Sequence, residues 1–169
     1  MPLIHVYFFA PPDDDPHVIN HVVKKFDGPY SHCDVQFEDK FASSIYQNES
    51  VYWRVRQFRK PGYCRITIPV AQYEYGRAYA LCKSRAEEKM GFDALGMYSL
   101  PLPSALLFDR EHKTFCSKHI CEVLQEAGVR SVAGLIAREQ TPSSLHRALG
   151  ASQIFHVDPE TISALRVGR

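Results

Sequence analysis

The sequence predicts an α+β fold, on three observations. A β-branched and aromatic run stands near the N-terminus, four short strand-like segments follow a single helix, and much of the second half has helical periodicity. With 169 residues, 45% of them hydrophobic and 23% charged, the chain is long enough to bury a real core, and residues 1–169 read as one domain.

"LIHVYFF" (3–9) is strand-like, and "APPDDDP" breaks it. Asp15 supplies helix-start chemistry with Pro16 at the first helical position, and "PHVINHVVKKF" then repeats Val18, Ile19, Val22, Val23 and Phe26 on one face. "HCDVQF", "FASSIYQ", "SVYWRVRQF" and "YCRITIPV" alternate and are joined by turn residues, which predicts an antiparallel meander with a tight turn at Glu38-Asp39-Lys40. "AQYEYGRAYALCKSRAEEKM" is a long helix whose Tyr73, Tyr79 and Leu81 read as core. "GFDALGMYSLPLPS" reads as a loop or short helix. "TFCSKHICEVLQEAG" is an amphipathic helix closed by Gly128, and "TPSSLHRAL" starts another with Pro142 at its first position. The tail "SQIFHVDPETISALRVGR" reads as a short strand and one more helix.

A formal net charge of +1 predicts no broad attraction to nucleic acid or to an anionic membrane. Lys24-Lys25 and the Arg54, Arg56, Arg59, Lys60 group read as solvated faces. The N-terminal apolar run has no basic flank and no small-residue cleavage site, and no segment reaches the roughly 18 apolar residues of a membrane span. Five cysteines, an odd number with no Cys-x-x-Cys pair, suggest neither a disulfide framework nor a zinc ribbon. An intracellular, cytoplasmic and reducing setting is expected.

Two stretches carry possible chemistry. Cys116 stands in the first turn of its helix, where unpaired N–H groups and the helix dipole favour a thiolate and can hold an oxyanion. "YSHCDVQF" places His32 at a strand start, where it can act as general base to a thiol. Neighbours on a strand point to opposite faces, so His32 and Cys33 are not expected to look into one site. Helix cysteines are also common packing residues, and position alone leaves both readings of Cys116 open. Cys33, Cys64, Cys82 and Cys121 read as structural. His112, Cys116, His119 and Cys121 match no standard zinc spacing, because Cys121 is rotated away from the Cys116–His119 face. No metal or cofactor is expected.

Taken together, "YSHCDVQF" followed far downstream by "TFCSKHICEVLQEAG" resembles the circularly permuted branch of the NlpC/P60 papain-like superfamily, in which a strand-borne His precedes the Cys. "GFDALG", the "CS" at the helix start, the closing Gly and the later "TPSSL" are similar to that branch's further motifs, so the resemblance spans about residues 28 to 149. It implies a papain-like core, an antiparallel sheet packed against a helix bearing the nucleophile, and metal-free thiol chemistry on amide or ester bonds. By position Cys116 matches the nucleophile and His32 the base. The superfamily commonly orients the histidine through a polar residue on the next strand. There Ser44 lies closest to the expected place, with Ser43 and Gln47 as rivals, whereas many permuted members carry Glu or His. Tyr30 is near the site but reads as packing.

The expectation is therefore a cysteine hydrolase of peptidase or amidase type acting on a peptide or amide substrate through a thioester at Cys116. A catalytically weak module binding a peptide or protein partner is the alternative, and the serine in the third role is the feature that favours it. Lipid acyl transfer is disfavoured, since the chain lacks the "NCEHF" stretch of the lecithin:retinol type and a hydrophobic anchor.

Overall fold

A computed structural model describes residues 1–16, 18–59, 61–98 and 112–150 of the chain. The strand and helix expected in the tail after Gly150 lie outside the described residues. The architecture is α+β. In chain order it runs β1 (Leu3–Phe9), α1 (Val18–Asp27), β2 (His32–Gln36), β3 (Phe41–Ser44), β4 (Tyr52–Val55), β5 (Tyr63–Pro69), α2 (Gln72–Glu87), β6 (Gly91–Phe92), α3 (Ala94–Tyr98), β7 (Lys113–Thr114), α4 (Cys116–Glu126) and α5 (Pro142–Gly150).

The first five strands form one antiparallel sheet in the order β4-β3-β2-β1-β5. β2, β3 and β4 make the expected meander, but β5 does not continue it. It crosses to the far edge and pairs with β1 along its full length, from Leu3 opposite Pro69 to Phe9 opposite Tyr63. Length explains the choice: β1 and β5 have seven residues each, whereas β4 has four, of which Arg54 and Val55 are exposed. Pairing with β5 satisfies the backbone groups on the second side of β1 and makes it a central strand.

β1 alternates strictly, burying Ile4, Val6 and Phe8. With Cys33, Val35 and Phe37 they form the sheet's inner face, which packs on Ile120, Cys121 and Leu124 of α4 and on Ala78 and Cys82 of α2. The period of α2 corrects one expectation. Tyr75, Ala78, Tyr79 and Cys82 share the inner face, and Tyr73, two residues from Tyr75, falls on the outer one at 74% exposure, beneath the Arg77 guanidinium.

α4 ends as expected. Gly128 takes a left-handed φ of +66°, and the Val129 N–H returns to the Leu124 carbonyl at 3.0 Å. A β-carbon at Gly128 would stand 2.4 Å from the Glu74 carboxylate, so this corner also needs glycine for space. At the other end, "GFD" forms β6, parallel to β7. Asp93 is buried, donates its N–H to the Thr114 carbonyl (2.7 Å) and accepts the Gly96 N–H (3.0 Å), tying the short helix α3 to the approach of α4.

Candidate active site

The chain enters α4 through Phe115, which is extended, and the helix begins at Cys116 without a side-chain cap. The first backbone bond of the helix runs from the His119 N–H to the Phe115 carbonyl at 2.9 Å. Cys116 thus stands in the first turn, at the positive end of the helix dipole.

Cys116 lies at the floor of an open cleft of about 790 Å³, whose walls include His32, Tyr46, Gln47, Arg56 and Met97. The Cys33 thiol first, and the His32 ring next, favour its charged form, which outweighs burial and holds Cys116 well below the ordinary thiol range. Cys33 is shifted the opposite way, pushed well up by burial and by the Cys116 negative charge it faces.

His32 lines the cleft together with Cys116, whereas Cys33 is enclosed in the core cluster with Val35 and Phe37, as alternation along the strand predicts.

The third residue is Asp34, which sequence reasoning missed. It stands two positions after His32, hence on the same strand face, fully buried, with Oδ1 3.4 Å from His32 Nε2. Tyr52 donates its hydroxyl to the same oxygen, and Arg56 Nη1 donates at 2.9 Å. Arg56 also donates to the Tyr52 and Tyr63 hydroxyls, at 2.7 and 2.9 Å, and lies over the Phe58 ring. Burial keeps Tyr52 a phenol, raised further by Asp34, so it remains a donor. Oδ2 of Asp34 is buried without a hydrogen-bond partner among the described residues.

Burial opposes charge on His32, yet the Asp34 carboxylate, aided by Cys116, holds the imidazole well above its ordinary value of 6.5. Nε2 faces Asp34, which leaves Nδ1 as the nitrogen for the thiol. Tyr46 stacks on the ring at 4.5 Å between centroids and fixes its plane. The arrangement sets a thiol and an imidazole on one cleft, with a buried carboxylate behind the imidazole. A signal for Asp34 existed in the sequence, the two-residue spacing of "HCD".

Ser44 does reach His32 Nε2, at 3.4 Å, but its own hydroxyl donates to the Cys33 carbonyl at 2.6 Å. It can only accept from the imidazole, as a second and weaker partner beside Asp34. Ser43 turns to the core and pairs with His119 Nε2 at 2.8 Å. Gln47 lies on the cleft wall. Tyr30 packs on Phe8 and His146, as expected. Cys82 and Cys121 are fully enclosed and their thiols are pushed up to about 12 by burial, whereas Cys64 is half-buried beside His146.

Among the described residues no group of three or more His, Cys, Asp or Glu side chains is arranged to hold a metal ion. His119 and Cys121 of the zinc reading are enclosed in the core. No described helix is long and apolar enough to cross a membrane. Comparison of the chain with protein-family models, with curated proteins and with solved structures finds no match.

Proposed function

We propose that this protein is a papain-like cysteine hydrolase of the permuted NlpC/P60 type, acting on an amide or peptide bond. One observation carries the reading: Cys116, at a helix N-terminus, lines one cleft with an imidazole that a buried aspartate raises. The thiolate attacks the substrate carbonyl carbon, and the oxyanion develops beside the positive end of the α4 dipole, at the Cys116 N–H. The His32 imidazolium gives its proton to the leaving amine, and the C–N bond breaks to leave a thioester. Neutral His32 then takes a proton from water, the resulting hydroxide attacks the thioester, and the thiolate departs with the carboxylic acid released. Asp34 stabilises the imidazolium in both half-reactions.

The strand-borne histidine preceding the cysteine in the chain supports the permuted branch. The cleft wall carries both signs of charge, Arg56 and Arg59 with Asp15 and Glu49, which favours a polar peptide or amide over a lipid acyl chain. The non-catalytic module is less well supported than the sequence suggested, because a buried carboxylate, Asp34, stands against the imidazole where a serine was expected. Free thiols at all five cysteines fit the reducing, intracellular setting we propose for it.

Alkylation with iodoacetamide across pH tests the site. Cys116 should label fastest of the five cysteines at neutral pH, and His32→Ala should slow it without unfolding the protein. Equal labelling of Cys33 and Cys116 would overturn the assignment. An activated amide or ester should then leave an acyl group on Cys116 that water releases. A protein that alkylates at Cys116 but never acquires the acyl group is the binding module.

A further inference from the structure

β4 and β5 lie at opposite edges of the main sheet, so the chain between them has to pass from one edge to the other. It passes over the outer face, opposite the core. His32, Asp34 and Gln36 share that face of β2, and Tyr7, paired with Asp34 on β1, shares it too. Residues 56–59 run over these side chains as a strap. Its start is clamped: the Arg56 N–H donates to the Lys40 carbonyl at 3.1 Å, and the Arg56 carbonyl accepts Gln36 Nε2 at 2.7 Å. Further on, the Phe58 ring stacks on Tyr7, 3.9 Å between centroids and 14° from parallel. Beyond the strap the Gly62 carbonyl accepts the Ala10 N–H at 2.7 Å. Gly62 has a φ of +94°, and a β-carbon there would stand 2.6 Å from the Ala10 carbonyl oxygen, so this corner needs glycine.

We propose that Arg56 is a positioning residue of the hydrolytic site: carried on the strap that Phe58 fastens to the back of the sheet, it holds Asp34 against the His32 imidazole. The geometry stands on the outer-face contacts, and the consequence for turnover rests on the hydrolase reading. Asp34 has no exposed surface, and its Oδ2 has no hydrogen-bond partner among the described residues. Oδ1 alone therefore meets Tyr52, Arg56 and His32. With Arg56 gone, only the Tyr52 hydroxyl would set the angle of the carboxylate behind the imidazole. The guanidinium is itself fixed in direction. Nη1 is shared between Asp34 and Tyr52, Nη2 donates to Tyr63, and the group lies 4.7 Å from the centre of the Phe58 ring. Phe58 is not on the cleft wall, so its influence on the reaction has to run through Arg56.

The test pairs turnover of p-nitrophenyl acetate with the NMR signal of the His32 Nε2 proton, assigned by its absence from His32→Ala. Arg56→Gln should lower kcat about a hundredfold, the scale of about 1 Å of misplacement, with KM little changed. Phe58→Ala should act in the same direction, by about tenfold. Both should displace the His32 signal, and Phe58→Tyr, which keeps the stack on Tyr7, should restore signal and kcat. Removing one partner of a buried pair is costly, so Arg56→Gln is checked by thermal unfolding. Where it does not fold, Arg56→Lys and the two Phe58 variants decide. A folded Phe58→Ala that loses kcat with the His32 signal in place overturns the proposal, as does an effect confined to KM. A signal that moves in a protein that never turns over the ester removes only the hydrolase reading. Turnover with kcat and signal unmoved in the variants removes only this one.

Discussion

Two imidazoles flank the start of α4 and are driven in opposite directions. His32 meets Cys116 at the helix tip, and His119 lies one turn further along. Both are enclosed, and in both burial disfavours the charged ring. His32 has the Asp34 carboxylate against Nε2 and ends well above 6.5. His119 has the Arg85 guanidinium 3.1 Å from Nδ1 and is driven down to about 3, by burial first and the arginine second. Because arginine only donates, Nδ1 of His119 is an acceptor, and its proton sits on Nε2, bound to Ser43. The comparison teaches that the sign of the nearest charge, more than burial, separates the proton-carrying histidine from the structural one.

The largest break in this contrast should come from Asp34→Asn, which keeps the shape of the pair and removes its charge. Turnover is expected to fall on the order of 10³- to 10⁴-fold, as when a serine-protease triad loses its aspartate. The pH profile carries the diagnosis. Without the carboxylate His32 loses its proton at lower pH, so the alkaline limb of activity moves down. The acid limb of Cys116 alkylation moves up, as the imidazolium no longer steadies the thiolate. A fall in activity with both limbs in place would make Asp34 merely structural.

His32→Ala should slow Cys116 alkylation at neutral pH by about ten- to a hundredfold, the range spanned when a thiol pKa climbs one or two units back toward its free value. His119→Gln should leave that rate little changed. It acts on stability instead. The folded state refuses the His119 proton until about pH 3, while the unfolded chain accepts it near 6.5, so the unfolded state binds more protons between these values and stability falls as pH falls. The slope is about 1.4 kcal/mol per pH unit from this residue, and urea titrations from pH 6.5 downward should show it flattened in the glutamine variant. An unchanged slope would mean that His119 is already charged in the native protein.

The smallest effect belongs to Ser44→Ala. It removes one buried neutral hydrogen bond to the Cys33 carbonyl, worth about 1 kcal/mol of stability, and trims alkylation and turnover less than tenfold because Asp34 still holds the ring. Ser44→Glu would set a second carboxylate at a fully enclosed position two hydrogen bonds from Asp34, and it should lower stability and not raise activity. A gain of activity in Ser44→Glu would place the orienting role at Ser44 after all.

The sequence by itself determined what depends on near neighbours in the chain. Period and breakers marked the five strands of the main sheet and the longer helices but not β6 and β7, Pro142 and Gly128 marked helix ends, and a cysteine in the first turn of a helix with a histidine at a strand start marked the candidate pair. Even Asp34 was within its reach, since residues two apart on a strand share a face. It went unread because orientation was sought across the turn, on β3, and not along β2. What only the tertiary structure decided depends on which surfaces meet. β5 left the meander because β1 offered seven residues of pairing and β4 only four. Ser43 went to the core and Ser44 to the imidazole because the register sets Val35 opposite Ser43. Cys116 and His32, far apart in the chain, line one cleft because α4 packs against β2. Alternation along a strand is a local rule, and which helix end is delivered to that strand is not.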